Sequence, residues 1–113
     1  MGFSLADVQE AHRLITGLAR VTPLIEAESF SAEARHPILL KLETLQPIGA
    51  FKIRGAAHAL LRLDPEARQR GVVCCSTGNH GKAVAYAARH LDVPATICLS
   101  DLVPEAKVEA IAA

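Results

Sequence analysis

Two short segments of the chain hold the residues able to do chemistry. In Ser76-Thr77-Gly78-Asn79-His80-Gly81, two hydroxyls, an amide, an imidazole and two glycines stand directly after a short apolar run and directly before a helical pattern. Where a strand feeds a helix, unpaired backbone N–H groups and the positive end of the helix dipole converge, so the natural guest is a carboxylate or a phosphate. A Walker phosphate loop is not present: Ser76 stands where its first glycine belongs, and Ala83 where its Ser or Thr belongs. The glycine count also fails the dinucleotide fingerprint. An ordinary strand-to-helix turn with Asn79 as N-cap fits the same residues.

The second segment is Gly49-Ala50-Phe51-Lys52-Ile53-Arg54-Gly55, with Lys52 at the start of an alanine-rich helix. A cation opposes the positive dipole end there. A lysine whose charged form is disfavoured by a helix N-terminus and by burial can serve as a neutral amine and form a Schiff base. Taken alone, the segment fits a solvated or ion-paired lysine more simply, as do Lys41, Lys82 and Lys107. The three cysteines, Cys74, Cys75 and Cys98, have no zinc spacing and form no disulfide framework. Cys74 and Cys75 read as small buried strand residues on opposite faces, and reduced thiols suit a cytoplasmic protein.

The elements that must position these segments follow from periodicity. Ser4 caps a first helix of about 15 residues, with Leu5, Val8, His12, Ile15 and Ala19 on one face. Thr22-Pro23-Leu24 is extended, since proline excludes the helical region for the residue before it. A strand is predicted over 38–43, a turn over 46–49, and a helix over 53–63. Asp64 then caps a short polar turn or helix that stops at Gly71. Residues 72–76 read as a strand buried on both faces, 82–91 as a helix with Val84, Ala87, Ala88 and Leu91 inward, and 95–100 as the next strand. Pro104 opens a final helix. Strand, helix, strand, helix at these spacings is a βαβ unit, hence an α/β fold with a parallel sheet and flanking helices.

Composition bounds the rest. The 113 residues are 50% hydrophobic and 21% charged, with twelve Lys and Arg against twelve Asp and Glu. This balance leaves no excess charge to hold nucleic acid or an anionic membrane face. No apolar run approaches the roughly 18 residues of a membrane span. The first seven residues lack a basic region followed by an apolar core, and Ala6 stands where a myristoyl acceptor pattern has Ser or Thr.

Together the two segments resemble the fold-type II pyridoxal-phosphate enzymes (tryptophan synthase beta-like), specifically the serine and threonine dehydratase and serine racemase group. That group carries a Ser-Phe-Lys-x-Arg-Gly motif around its Schiff-base lysine and a downstream Ser-x-Gly-Asn-His motif at a helix start. The flanks Thr22-Pro23-Leu24, Leu40-Lys41-Leu42-Glu43 and 103–108 agree as well. The resemblance implies pyridoxal 5'-phosphate held by Lys52, which would also move protons at the substrate's α-carbon. It implies that Phe51 packs beside the pyridine ring and that Asn79 bonds its phenolic oxygen. Ser76, Thr77, Gly78, Asn79 and His80 would receive the amino acid's carboxylate. The implied reaction removes the α-proton, eliminates a β-hydroxyl and releases a keto acid and ammonia. No metal is implied.

Two departures bear on activity. Ala50 replaces the usual serine before Phe-Lys, and Thr77 stands where the racemase has a serine acting as base, which favours elimination over racemisation. The run 41–47 with 49–52 is most similar to dehydratases of hydroxyectoine utilisation. Family members are several times longer and dimeric, with a glycine-rich phosphate loop and a pyridine-nitrogen partner downstream. On that basis residues 1–54 are expected to belong to a large domain and 55–113 to a small βαβ domain, the chain being an N-terminal portion that stops inside a helix. A non-catalytic α/β remnant that keeps the motifs is the competing expectation.

Overall fold

The computed structural model describes residues 2–112. Helix α1 (Leu5–Leu14) opens with a reciprocal cap, in which Ser4 N–H donates to Asp7 (2.6 Å) and Asp7 N–H to Ser4 Oγ (3.3 Å). It is shorter than the periodicity predicts. The Thr16 hydroxyl bonds back to the His12 carbonyl (3.2 Å), and Gly17, at φ +94°, turns the chain away. Of its apolar stripe, Ile15 is buried while Leu5 and Val8 stay exposed.

Strand β1 (Leu24–Glu26) pairs antiparallel with β2 (Leu39–Lys41) in a two-stranded sheet of its own, separate from the parallel pair the sequence predicts. Between them lies α2 (Glu28–Ala34), which apolar periodicity misses because Phe30 is its one large apolar residue. A 3-10 turn (Glu43–Leu45) and a turn closed by Gly49 N–H to the Gln46 carbonyl (2.8 Å) lead into α3 (Lys52–Leu61). Asp64 caps α4 (Pro65–Arg70) through Ala67 N–H (2.7 Å), as predicted, and Gly71 ends it.

The second half is the expected βαβ unit. Strand β3 (Val72–Cys75) pairs in parallel with β4 (Ala95–Cys98) across α5 (Asn79–His90), and α6 (Glu105–Ala112) follows Pro104. The core is the α3–α5 contact: Ile53, Ala56, Ala57 and Leu60 meet Ala83, Val84, Ala87 and Ala88, with Cys74 and Val93 beneath. Alanines at this seam let the two helices approach closely. Strand β3 is buried on one face only, which corrects the reading of a strand covered on both. Cys74 faces the core, whereas Val73 is 77% exposed and Cys75 is exposed, because α5 covers a single side of the β3–β4 pair.

Candidate active site

Lys52 is the first residue of α3. The side chains around it alternate: Ile48, Ala50 and Ile53 are buried while Phe51 and Lys52 are exposed, so the buried three fix the backbone and the other two face outward. Lys52 Nζ lies 4.5 Å from the centre of the Phe51 ring, a cation–π contact. Among the described residues no carboxylate pairs with it. An outward amine with no ion-pair partner beside an aromatic ring suits a lysine that must meet an aldehyde and a planar ring.

A polar clamp holds the first turn of α3. Glu43 receives both arms of the Arg54 guanidinium, Nη2 at 2.7 Å and Nε at 2.8 Å, the fork geometry of a strong ion pair. The Thr22 hydroxyl donates to the same carboxylate (2.5 Å), and Gln46 Nε2 donates to it at 3.2 Å. Gln46 also behaves as a strand partner to Arg20, accepting from its N–H and donating to its carbonyl, both at 2.9 Å. Arg54 bonds that carbonyl too (3.1 Å). Thr22 and Gln46 are each only 4% exposed. The Arg54 guanidinium, with the Thr22 and Gln46 donors, outweighs burial and holds the Glu43 carboxyl down at about 2. Thr22 and Glu43 lie in the flanks, Gln46 in the predicted turn and Arg54 in the lysine segment itself, and the sequence does not display their convergence. Lys41, read as solvated or ion-paired, donates to the Thr22 carbonyl (2.5 Å).

The 76–81 loop leaves the end of β3, where Ser76 N–H still bonds the Cys98 carbonyl of β4 (3.2 Å). Gly78 is the N-cap of α5, and Asn79 is its first helical residue; the expected Asn79 cap is thereby corrected. The first helical hydrogen bond runs from Lys82 N–H to the Gly78 carbonyl (3.2 Å), which leaves the N–H groups of Asn79, His80 and Gly81 outside the helical ladder. Those donors, with the dipole behind them, form an anion-binding geometry. Gly81 is required by space: a Cβ there would sit 2.7 Å from the Ser76 carbonyl oxygen and 3.1 Å from Ile97 Cγ2. Thr77, Gly78 and Asn79 line an open cavity of about 380 Å³ that Lys82 and Lys107 also border. Phe51 and Lys52 do not line it. The two predicted segments thus sit at the starts of two helices that pack on each other, without closing into one cavity among the described residues.

An exposed lysine and a turn of N–H groups outside the helical ladder, at the starts of two packed helices in an α/β fold, are the chemical features the site presents. The family model for pyridoxal-phosphate-dependent enzymes matches residues 15–113, and the chain belongs to that family. It is 43% identical over 107 residues to an L-threo-3-hydroxyaspartate ammonia-lyase of a Pseudomonas species, covering 95% of this chain and 34% of that protein. It is 40% identical to an L-threonine ammonia-lyase of Thermotoga maritima, covering 93% and 26%. Among solved structures, maize serine racemase superposes with a TM-score of 0.90 at 36% identity, covering 98% of this chain and 34% of that one. The chain therefore spans about a third of the length of the proteins it matches. Among the described residues no helix is long and apolar enough to cross a membrane.

Proposed function

We propose that the protein carrying this chain is a pyridoxal-phosphate-dependent ammonia-lyase that eliminates the β-hydroxyl of an amino acid, giving a keto acid and ammonia. The observation that carries the reading is Lys52: an outward amine with no acid partner among the described residues, beside Phe51, at a helix start braced by buried neighbours and the Glu43–Arg54 clamp. Pyridoxal phosphate, when bound, supplies the electron sink for the bond broken at the α-carbon. The Lys52 amine would hold the cofactor and move the proton off the substrate's α-carbon, the β-hydroxyl leaving as water. Phe51 offers a face to the cofactor ring, and Asn79 an amide to its phenolic oxygen. The loop of Ser76, Thr77, Gly78, Asn79 and His80, with the Ser76 and Thr77 hydroxyls and the Asn79 and His80 N–H groups outside the helical ladder, takes the substrate carboxylate and so fixes which α-bond is aligned for cleavage.

This reading includes a large domain up to Arg54 and a small domain from Gly55, with α3 spanning the junction. It also includes a cytoplasmic homodimer with neither nucleic-acid nor membrane partners, and a substrate from hydroxyectoine utilisation. Racemisation of an amino acid is the second reading, favoured by the likeness to maize serine racemase. Thr77 weighs against it, since its added methyl crowds the position of a second base. The test uses full-length protein incubated with pyridoxal phosphate and borohydride. Lys52 should carry the reduced label, K52A should carry none, and a hydroxy amino acid should yield keto acid. Label on other lysines, or chiral inversion without keto acid, would overturn the lyase. The 113-residue chain alone is expected to release no measurable keto acid, because the family's phosphate loop and pyridine-nitrogen partner are not in it.

A further inference from the structure

Thr22 and Gln46 are the buried polar residues among those described, and both donate to one carboxylate. An ionised carboxylate has about four lone-pair sites. At Glu43, Arg54 Nη2 (2.7 Å) and the Thr22 hydroxyl (2.5 Å) fill those of Oε1, while Arg54 Nε (2.8 Å) and Gln46 Nε2 (3.2 Å) fill those of Oε2. The carboxylate is saturated, and donors from three separate places in the sequence fix its orientation. What it anchors is Arg54, in the first turn of α3, two residues beyond Lys52. That turn has little else to hold its end. Phe51, the residue before the helix, supplies no side-chain cap, and Lys52 sets a cation at the positive end of the helix dipole. Gln46 acts on the same turn a second way. Its carbonyl takes Gly49 N–H (2.8 Å), closing the turn that leads to the lysine, while its side chain pairs with both backbone groups of Arg20 (2.9 Å each).

We propose that Thr22 and Gln46 are positioning residues for the reaction: by aiming the Glu43 carboxylate at Arg54 they hold the start of α3 and, through it, the direction of the Lys52 amine. The proposal rests on the lyase reading above. Among the described residues neither side chain bonds to Lys52, so each acts through the clamp. Both are buried by this chain's own segments, each only 4% exposed, so the device does not depend on an open surface. The substrate carboxylate is assigned to the start of the other helix, α5, which the clamp does not touch. Loosening the clamp should therefore slow the step that needs the amine in place and leave substrate binding nearly as it was. A reacting group displaced by about 1 Å can lose about 10²-fold in rate, and loss of one donor out of four should displace it less, for a loss of about three- to tenfold.

The experiment compares full-length unsubstituted protein with T22V, T22S and Q46M, at a temperature where urea unfolding shows each to be folded. Two quantities are read: the rate of reductive labelling of Lys52 by pyridoxal phosphate, measured on peptides against Lys82, and kcat and KM for a hydroxy amino acid. T22V and Q46M should each lower the Lys52 labelling rate and kcat by about three- to tenfold, with KM changed by less than about twofold. T22S keeps the hydroxyl and should restore both. A role in stability alone would lower the urea midpoint and leave the labelling rate of the folded protein unchanged. Lys52 labelled in T22V as fast as in the unsubstituted protein would overturn the proposal and leave the lyase reading standing. So would T22S as slow as T22V, or a raised KM with kcat unchanged. No label at Lys52 of the unsubstituted protein would overturn the lyase reading and this proposal together. Should Q46M fail to fold, the Thr22 pair, which differs by little in volume, decides the matter.

Discussion

At the residue scale, the Glu43–Arg54 pair carries the sharpest expectations. Glu43 titrates near 2 in the folded chain against an ordinary 4.5, because Arg54, Thr22 and Gln46 bond its charged form. A lowered folded value means that the contribution to stability is complete above about pH 4.5 and is lost as pH falls toward 2. The full shift corresponds to about 3 kcal/mol at most. Urea unfolding of the unsubstituted chain should show that loss between about pH 4.5 and 2. E43Q should be less stable at pH 7 by roughly 1–3 kcal/mol and should have a flatter profile below pH 5. An E43Q profile parallel to that of the unsubstituted chain would show that the pair does not carry the slope. R54K keeps the charge but not the two-armed fork, so it should lose about 1 kcal/mol and weaken reductive labelling at Lys52 more than at Lys82.

At the scale of elements, the helices and strands beside the site follow from local rules that the sequence displays. Asp64-Pro65 and Gly71 bracket α4, Ser4 and Asp7 cap α1, and the strand, turn and helix of 72–90 stand within a few residues of their expected limits. What escapes a one-dimensional reading is what depends on partners. The early end of α1 rests on the Gly17 backbone, the antiparallel β1–β2 pair on a crossover through a helix with little apolar pattern, and the open face of β3 on which side α5 takes. The clamp was invisible for the same reason, since Thr22 and Arg54 lie far apart in sequence. Two substitutions test the element boundaries. D64A removes the acceptor of Ala67 N–H and should cost about 1 kcal/mol in chemical unfolding. G81A drives a Cβ to 2.7 Å from the Ser76 carbonyl, so either α5 or the loop must move. It should cost roughly 1–3 kcal/mol, and in the full-length protein it should weaken binding of a carboxylate ligand. Unchanged stability in G81A would mean that the loop yields freely, contrary to a preformed anion site.

At the scale of the whole molecule, the chain covers too little of its own apolar surface. A folded monomer of this mass presents about 6000 Å², whereas this one presents 7943 Å². Its radius of gyration is 16.7 Å, against about 13 Å for a self-contained domain of this length. The excess is not spread evenly. Val73 at 77% and Leu24 at 59% exposure belong to the two small sheets, Phe3 at 84% and Leu5 at 73% to the start of α1, and Leu102 at 88% to the link into α6. These five lie away from the α3–α5 seam, which is well buried. Such a molecule should keep the seam while its sheet faces seek other apolar surface. The 113-residue chain is therefore expected to bind a hydrophobic dye in native buffer and to scatter as a particle of more than 13 Å radius or as self-associated species. Within it, A87L should be far more damaging than V73L, since residue 87 is fully buried in the seam and residue 73 is not. Overpacking there costs roughly 1–3 kcal/mol or more. A monomer near 13 Å that binds no dye and tolerates A87L would contradict the division into a packed seam and open sheets.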